Sequence, residues 1–190
     1  MSWPFGDLVP MSYGALMLDC PWSFSNWSAK GERKNAKHHY TCMALADIKA
    51  LPVGHLASKD AVVFVWATWP MLPQAMEVMA TWGCPYVTGG AWMKKTIHGK
   101  HAFGTGYRLR SSSEPWLLGF FGNPKTSRAH RNTIEGLARE HSRKPTEAYE
   151  WMETYYPGVR RAELFARETR SGWDSWGDES FKFDEKGEAA

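Results

Sequence analysis

Four consecutive residues, Asp19-Cys20-Pro21-Trp22, close an apolar run, Gly14-Ala15-Leu16-Met17-Leu18. A carboxylate followed by a carbonyl that a proline pins makes two rigid acceptors side by side. Such a pair suits an amino group on an aromatic ring. That nitrogen is a poor nucleophile because its lone pair is delocalised, and acceptors that hold both N–H bonds localise the pair. Trp22 adds a surface on which a base could stack. Stacking contributes ~1–3 kcal/mol against the few kcal/mol that extruding a base costs, so the ring matters energetically. The plainer reading is a turn whose Asp caps the next segment and whose Trp packs in the core.

The elements around these residues decide whether they can work together. Residues 14–18 have the length and continuous apolarity of a strand buried on both faces, and Pro21 cannot join a ladder, so the strand stops before it. Asp19 is then at the strand's carboxyl end, where open α/β sheets form their ligand crevice. Further along, residues 44–51 have helical spacing and end before Pro52, and 61–67 read as a second buried strand. Residues 73–82 read as a helix that stops at Gly83, with its Met and Trp stripe as core, and 85–93 as a third strand. A basic loop follows over 94–110, with Gly99, Gly104 and Gly106 marking a flexible flap, and 113–122 supply another strand. The stretch 141–153 opens a helix with Ala148, Trp151 and Met152 on one face, and 160–167 read as a last strand. Residues 1–12 carry no helical or strand period, and the charged segment 180–190 reads as disordered. At 190 residues the chain fits a single domain, here 1–179, followed by an acidic tail.

Asp19-Cys20-Pro21-Trp22 resembles the Asp-Pro-Pro-Trp signature of the MT-A70 family of N6-adenine methyltransferases. Three more stretches resemble the family in the same order: Val62-Val63-Phe64-Val65-Trp66-Ala67-Thr68, Ala91-Trp92-Met93-Lys94-Lys95, and Lys144-Pro145 through Glu163-Leu164-Phe165-Ala166-Arg167. The resemblance runs from about residue 15 to about residue 179. It implies a Rossmann-like, three-layer α/β methyltransferase fold in circularly permuted order, the catalytic strand preceding the cofactor strand. It also implies S-adenosylmethionine as cofactor, adenine in DNA or, second, RNA as substrate, no metal, and work as a homodimer or with a partner subunit. On this pattern Asp19, Cys20, Pro21 and Trp22 are catalytic, and Asp19, Cys20, Glu163, Phe165, Arg167, Thr169, Asp178 and Glu179 hold the cofactor. Tyr40, Lys94, Arg108 and Glu114 would contact substrate, Tyr40 by way of His39-Tyr40-Thr41-Cys42-Met43, which resembles a Tyr-Gly-Thr-Met-like segment. By the same resemblance residues 1–12 would run beside the cofactor's adenine. Three departures stand out: Cys20 for a Pro, Phe121 where relatives often have a Lys, and Asp178-Glu179 for an Asn-Gln-like pair. The first two favour an alternative, a catalytically decayed nucleic-acid-binding subunit of the same fold.

Charge placement says more than the net charge of +3. Lys30, Arg33, Lys34, Lys37, His38 and His39 cluster after the motif; Lys94, Lys95, Lys100, Arg108 and Arg110 form a second group, and Lys125, Arg128 and Arg131 a third. Two of these flank the proposed site, as phosphate contacts would. His38, His39 and Cys42 lack a matching ligand pair at zinc-binding spacing. Three scattered cysteines suggest reduced thiols, and the lack of a signal peptide or membrane-length apolar run suggests a soluble, cytoplasmic protein. Lys34 and Lys37, or Lys94 and Lys95, replaced by Ala should each lower the salt slope of nucleic-acid binding by ~1 per lost phosphate contact, without changing which adenine is modified. Parallel slopes for wild type and both double variants in a salt titration would remove the phosphate reading.

Overall fold

β-Branched and aromatic runs form the middle of a seven-stranded sheet in the computed structural model, which describes residues 3–22, 42–104, 108–140 and 143–184. Strand β1 is Tyr13–Leu18, β2 Ala57–Trp66, β3 Tyr86–Lys95, β4 Ser113–Phe121, β5 Thr133–Leu137, β6 Arg161–Leu164 and β7 Trp173–Trp176. Their order across the sheet is β5-β3-β4-β2-β1-β6-β7. β1 lies parallel to both neighbours, with Leu18 opposite Val65 of β2 and Leu164 of β6. β4 runs antiparallel to β2 and β3, against six strands that share one direction.

Period-two alternation divides the strand side chains between two cores. Leu16, Leu18, Val63 and Val65 face one side, where helix α1 (Leu45–Ala50) buries Ile48 and helix α2 (Leu72–Thr81) buries Ala75, Val78 and Met79. Ala15, Met17, Val62, Phe64 and Trp66 face the other side, against Ala148, Tyr149 and Met152 of helix α3 (Thr146–Tyr155). Phe64 stacks on Trp116 of β4 at 4.9 Å, which ties the parallel and antiparallel halves together. Helices thus cover both faces of the sheet. None of the described helices is long and apolar enough to cross a membrane.

Several boundaries differ from the reading by residue type. β2 begins four residues before its apolar run, because Ala57 pairs with Tyr13 at the start of β1. Lys94 and Lys95, expected in the loop, are the last residues of β3. Two strands carry too few apolar residues to show a period. β5 buries Ile134 and Gly136 at the sheet's edge, and β7 is Trp-Asp-Ser-Trp with Trp173 alone buried. Phe5, in the stretch without a pattern, is fully buried against Trp3 and Trp176. Of the segment expected to be disordered, 180–184 are held: Ser180 is buried and donates to the Gly177 carbonyl, and the Phe183 amide donates to that of Arg167.

Gly90 decides how β5 joins the sheet. A Cβ there would run into the Asn132 carbonyl oxygen, which accepts from the Ala91 amide just before β5, and into the Trp116 ring. Gly90→Ala should therefore cost roughly 1–3 kcal/mol, an overpacking penalty, seen as a lower urea midpoint with an unchanged slope.

Candidate active site

Asp19 is at the carboxyl end of β1, its amide donating to the Leu164 carbonyl at 3.3 Å, so the turn is anchored to β6. Its carboxylate Oδ2 lies 3.0 Å from Lys144 Nζ. Lys144 precedes Pro145 at the start of α3 and is 6 % exposed. The same ammonium is 2.7 Å from Glu114 Oε1 at the entry of β4, while Glu114 Oε2 is 2.7 Å from Lys94 Nζ in β3. Alternating charges therefore run from β3 through β4 and the head of α3 to the end of β1. The Trp66 ring, 5.4 Å from Lys144 Nζ, gives the buried cation an aromatic face.

Burial and charge act differently on the two acids. Burial raises the Glu114 carboxyl, but Lys144 and Lys94 more than cancel this and hold it at about 2. For Asp19, burial outweighs Lys144 and its pKa is raised above the ordinary value. Lys144 itself is held strongly protonated, since its two carboxylate neighbours overcome the cost of burying it. Glu114 thus adds stability that is present above its ordinary pKa and is lost as pH falls toward 2.

The rest of the motif behaves structurally. Trp22 is 4 % exposed and its indole donates to the Trp66 carbonyl at 3.2 Å, so the ring expected to stack on a base is in the core instead. Cys20 is buried too; burial, then the Asp19 charge, pushes its thiol pKa well up. The Cys20 carbonyl accepts from the Trp22 amide at 2.8 Å and that of Pro21 from Met43 at 3.1 Å, which fixes the turn.

A small cleft lies beside Asp19, lined by Glu163 and Phe165 at the end of β6, by Arg167 and Glu168 beyond it, by Arg143, Lys144 and Tyr149 around the start of α3, and by Phe183. Its free volume is about 10 Å³, room for one water. Glu163 is 3 % exposed, and both its oxygens accept from the Tyr149 hydroxyl at 3.0 Å. Burial drives its carboxyl up to about 8, the Tyr149 hydrogen bond and Lys144 pulling against Asp19 and Glu168. Phe165 has φ of 62°, a left-handed backbone that a bulky side chain rarely adopts; the strained turn brings the ring to the cleft, where it also packs on Trp176 at 5.2 Å.

Asp19, Glu163, Phe165 and Arg167 are therefore brought together, with Glu114 and Lys94 joined to them through Lys144. Lys94, expected on phosphate, is paired with Glu114, and Lys95 lies 3.5 Å from Glu135. Glu179 supports the cleft from outside, as the ion-pair partner of Arg167. Thr169 points to Asp184, whose carboxylate accepts from its amide at 2.7 Å and its hydroxyl at 2.8 Å. Asp178 and Arg108 are exposed and do not line the cleft, and Tyr40 and the first basic cluster lie outside the described residues. Reading by residue type missed Lys144, Tyr149, Arg143, Glu168 and Phe183. Lys144 had a signal: a cation at a helix amino end opposes the helix dipole and needs a carboxylate nearby.

The MT-A70 family model matches residues 13–179, which include every residue lining this cleft except Phe183. The chain belongs to the MT-A70 family. It is 32% identical over 172 residues to the "Putative N(6)-adenosine-methyltransferase MT-A70-like" of Medicago truncatula, covering 88% of this chain and 26% of that protein. It is 26% identical to the "Type II methyltransferase M.MunI" of Mycoplasma sp, over 91% of this chain and 80% of that one. A third relative, the "N6-methyladenosine RNA methyltransferase MTA1" of Cryphonectria parasitica, is 26% identical over 90% of this chain and 52% of its own. The chain thus spans about a quarter of the length of the plant MT-A70 relatives and most of the bacterial one.

Lys144→Met should leave Asp19 and Glu114 buried without their shared cation and cost roughly 3–5 kcal/mol at neutral pH. Both carboxyl pKa values would then rise, so the lost stability should return as the pH is lowered toward their ordinary range. Thermal melts across that range check the magnitude and the sign.

Proposed function

We propose that this MT-A70 protein transfers a methyl group from S-adenosylmethionine to the N6 amine of adenine in nucleic acid, in a Rossmann-like domain of permuted order. The observation that carries the reading is the position of Asp19, in the family's signature, at the carboxyl edge of β1 and on the same cleft as the ends of β6 and α3. The permuted order has support in β6, which follows β1 in the chain and lies beside it in the sheet.

The cleft's donor set suits the cofactor: Glu163 is a buried carboxylate with no ion-pair partner among the described residues, and Arg143, Arg167 and Lys144 supply cations at its rim. Phe165, Glu163 and Arg167 would hold the cofactor, with Glu179 keeping Arg167 in place. Bound there, S-adenosylmethionine supplies an already activated methyl donor, a sulfonium, so nothing else need activate the leaving group. Asp19 accepts from the adenine amine and localises its lone pair, and the turn fixed by Pro21 holds a backbone carbonyl for the second N–H bond. Positioning and this polarisation are the protein's contribution. Trp22 acts by holding the turn to β2 and not by stacking. Lys144 pairs with Asp19 until the amine takes its place on the carboxylate.

DNA is the first substrate of this reading, and similarity to the RNA methyltransferase MTA1 keeps RNA as the second. A decayed binding subunit is the alternative, favoured by a cleft of water size and by Cys20 in the signature. Incubation with labelled S-adenosylmethionine and separate DNA and RNA pools, then digestion to nucleosides, distinguishes these readings. Asp19→Ala should reduce N6-methyladenine formation by at least ~10²-fold with folding retained. Near-normal turnover by that variant would refute the assigned role, and an inactive wild type that still binds both ligands would support the decayed subunit.

A further inference from the structure

The cleft contains one buried acid that amine polarisation does not use. Glu163 and Tyr149 are 3 % and 2 % exposed, and the single Tyr149 hydroxyl donates to both carboxylate oxygens. The Tyr149 ring is fixed in turn, edge-on to Trp173 at 5.4 Å and under the Arg170 guanidinium at 4.7 Å. Charged groups approach Glu163 from each side: Asp19 from β1, Arg143 and Lys144 from the head of α3, and Arg167 and Glu168 from beyond β6. The basic groups among them are engaged elsewhere, Lys144 by Asp19 and Glu114, Arg143 by Glu168 and Glu140, and Arg167 by Glu179.

We propose that Tyr149 is a positioning residue that aims the Glu163 carboxylate into the cleft as the anchor for the positively charged part of S-adenosylmethionine. The inference rests on the cofactor reading above. A hydroxyl that donates to both oxygens leaves the outer lone pairs for a ligand and fixes the plane of the carboxylate. Burial, with no ion-pair partner among the described residues, holds the acid protonated to about pH 8, so a cationic ligand must displace that proton. A ligand that offered Glu163 only hydroxyls would displace none.

The test is calorimetry of S-adenosylmethionine binding to the full chain, in buffers of different ionisation enthalpy, on both sides of pH 8. Wild type should release a proton on binding below that pH, and its affinity should rise as the pH approaches it. Tyr149→Phe keeps the ring and loses the hydrogen bond that favours the anion. It should weaken binding at neutral pH by about tenfold and move proton release to higher pH. Glu163→Gln should abolish both proton release and pH dependence. A wild-type affinity and pH profile in Tyr149→Phe, or undiminished proton release in Glu163→Gln, would overturn the inference and leave the cofactor reading standing. If wild type does not bind S-adenosylmethionine at all, both fall.

Discussion

The site depends on one buried ammonium shared by two carboxylates from different parts of the chain. Lys144, before α3, meets Asp19 of the β1 edge and Glu114 of β4, and neither acid is its neighbour in sequence. An isolated charge in that position would cost several kcal/mol in lost hydration; the pairings offset this, and removing any member exposes the cost. The cluster therefore reports whether β1, β4 and α3 are correctly assembled. It also explains why Lys94 points inward: Glu114 needs a second cation to remain ionised at such depth.

Electrostatic asymmetry follows from this arrangement. Glu114, with two lysines, is held far below the ordinary carboxylate range, while Glu163, buried and with two acids nearby, is held far above it in spite of the Tyr149 hydrogen bond. Asp19 lies between them, raised by burial and opposed by Lys144. Glu114 and Glu163 thus differ in charge at neutral pH, and environments that push like groups apart are what allow different roles in one site.

The signature itself divides into an end that lines the cleft and an end that packs in the core. Asp19 faces the cleft, whereas Cys20 and Trp22 are in the core, and the Trp22 indole bond to the Trp66 carbonyl ties the turn to β2. Tryptophan elsewhere has the same role: Trp66, Trp82, Trp92, Trp116 and Trp173 are all buried, and their packing sets the distance between sheet and helices. Phe121, where relatives often carry a lysine, packs against the core under α1 and α2.

The sequence by itself determined the elements with strong periodicity and the one acid at a strand end. Residues 14–18 and 61–67 were legible as strands because burial on both faces demands unbroken apolarity, and 44–51 and 73–82 as helices because a single buried face demands the 3.6-residue repeat. Asp19, Glu163, Phe165 and Arg167, which line one cleft, were already singled out by the motif order. Only the tertiary structure decided the rest. Strands β5 and β7 are made by pairing with β3 and β6 and not by their own composition, so no local pattern marked them. The burial of Trp22, the inward turn of Lys94, the hold of Asp184 on Thr169 and the placing of Lys144 and Tyr149 all arise from contacts between segments distant in sequence. A residue's type states which interactions it can make; which of them it does make is settled by what the fold brings within three ångströms of it.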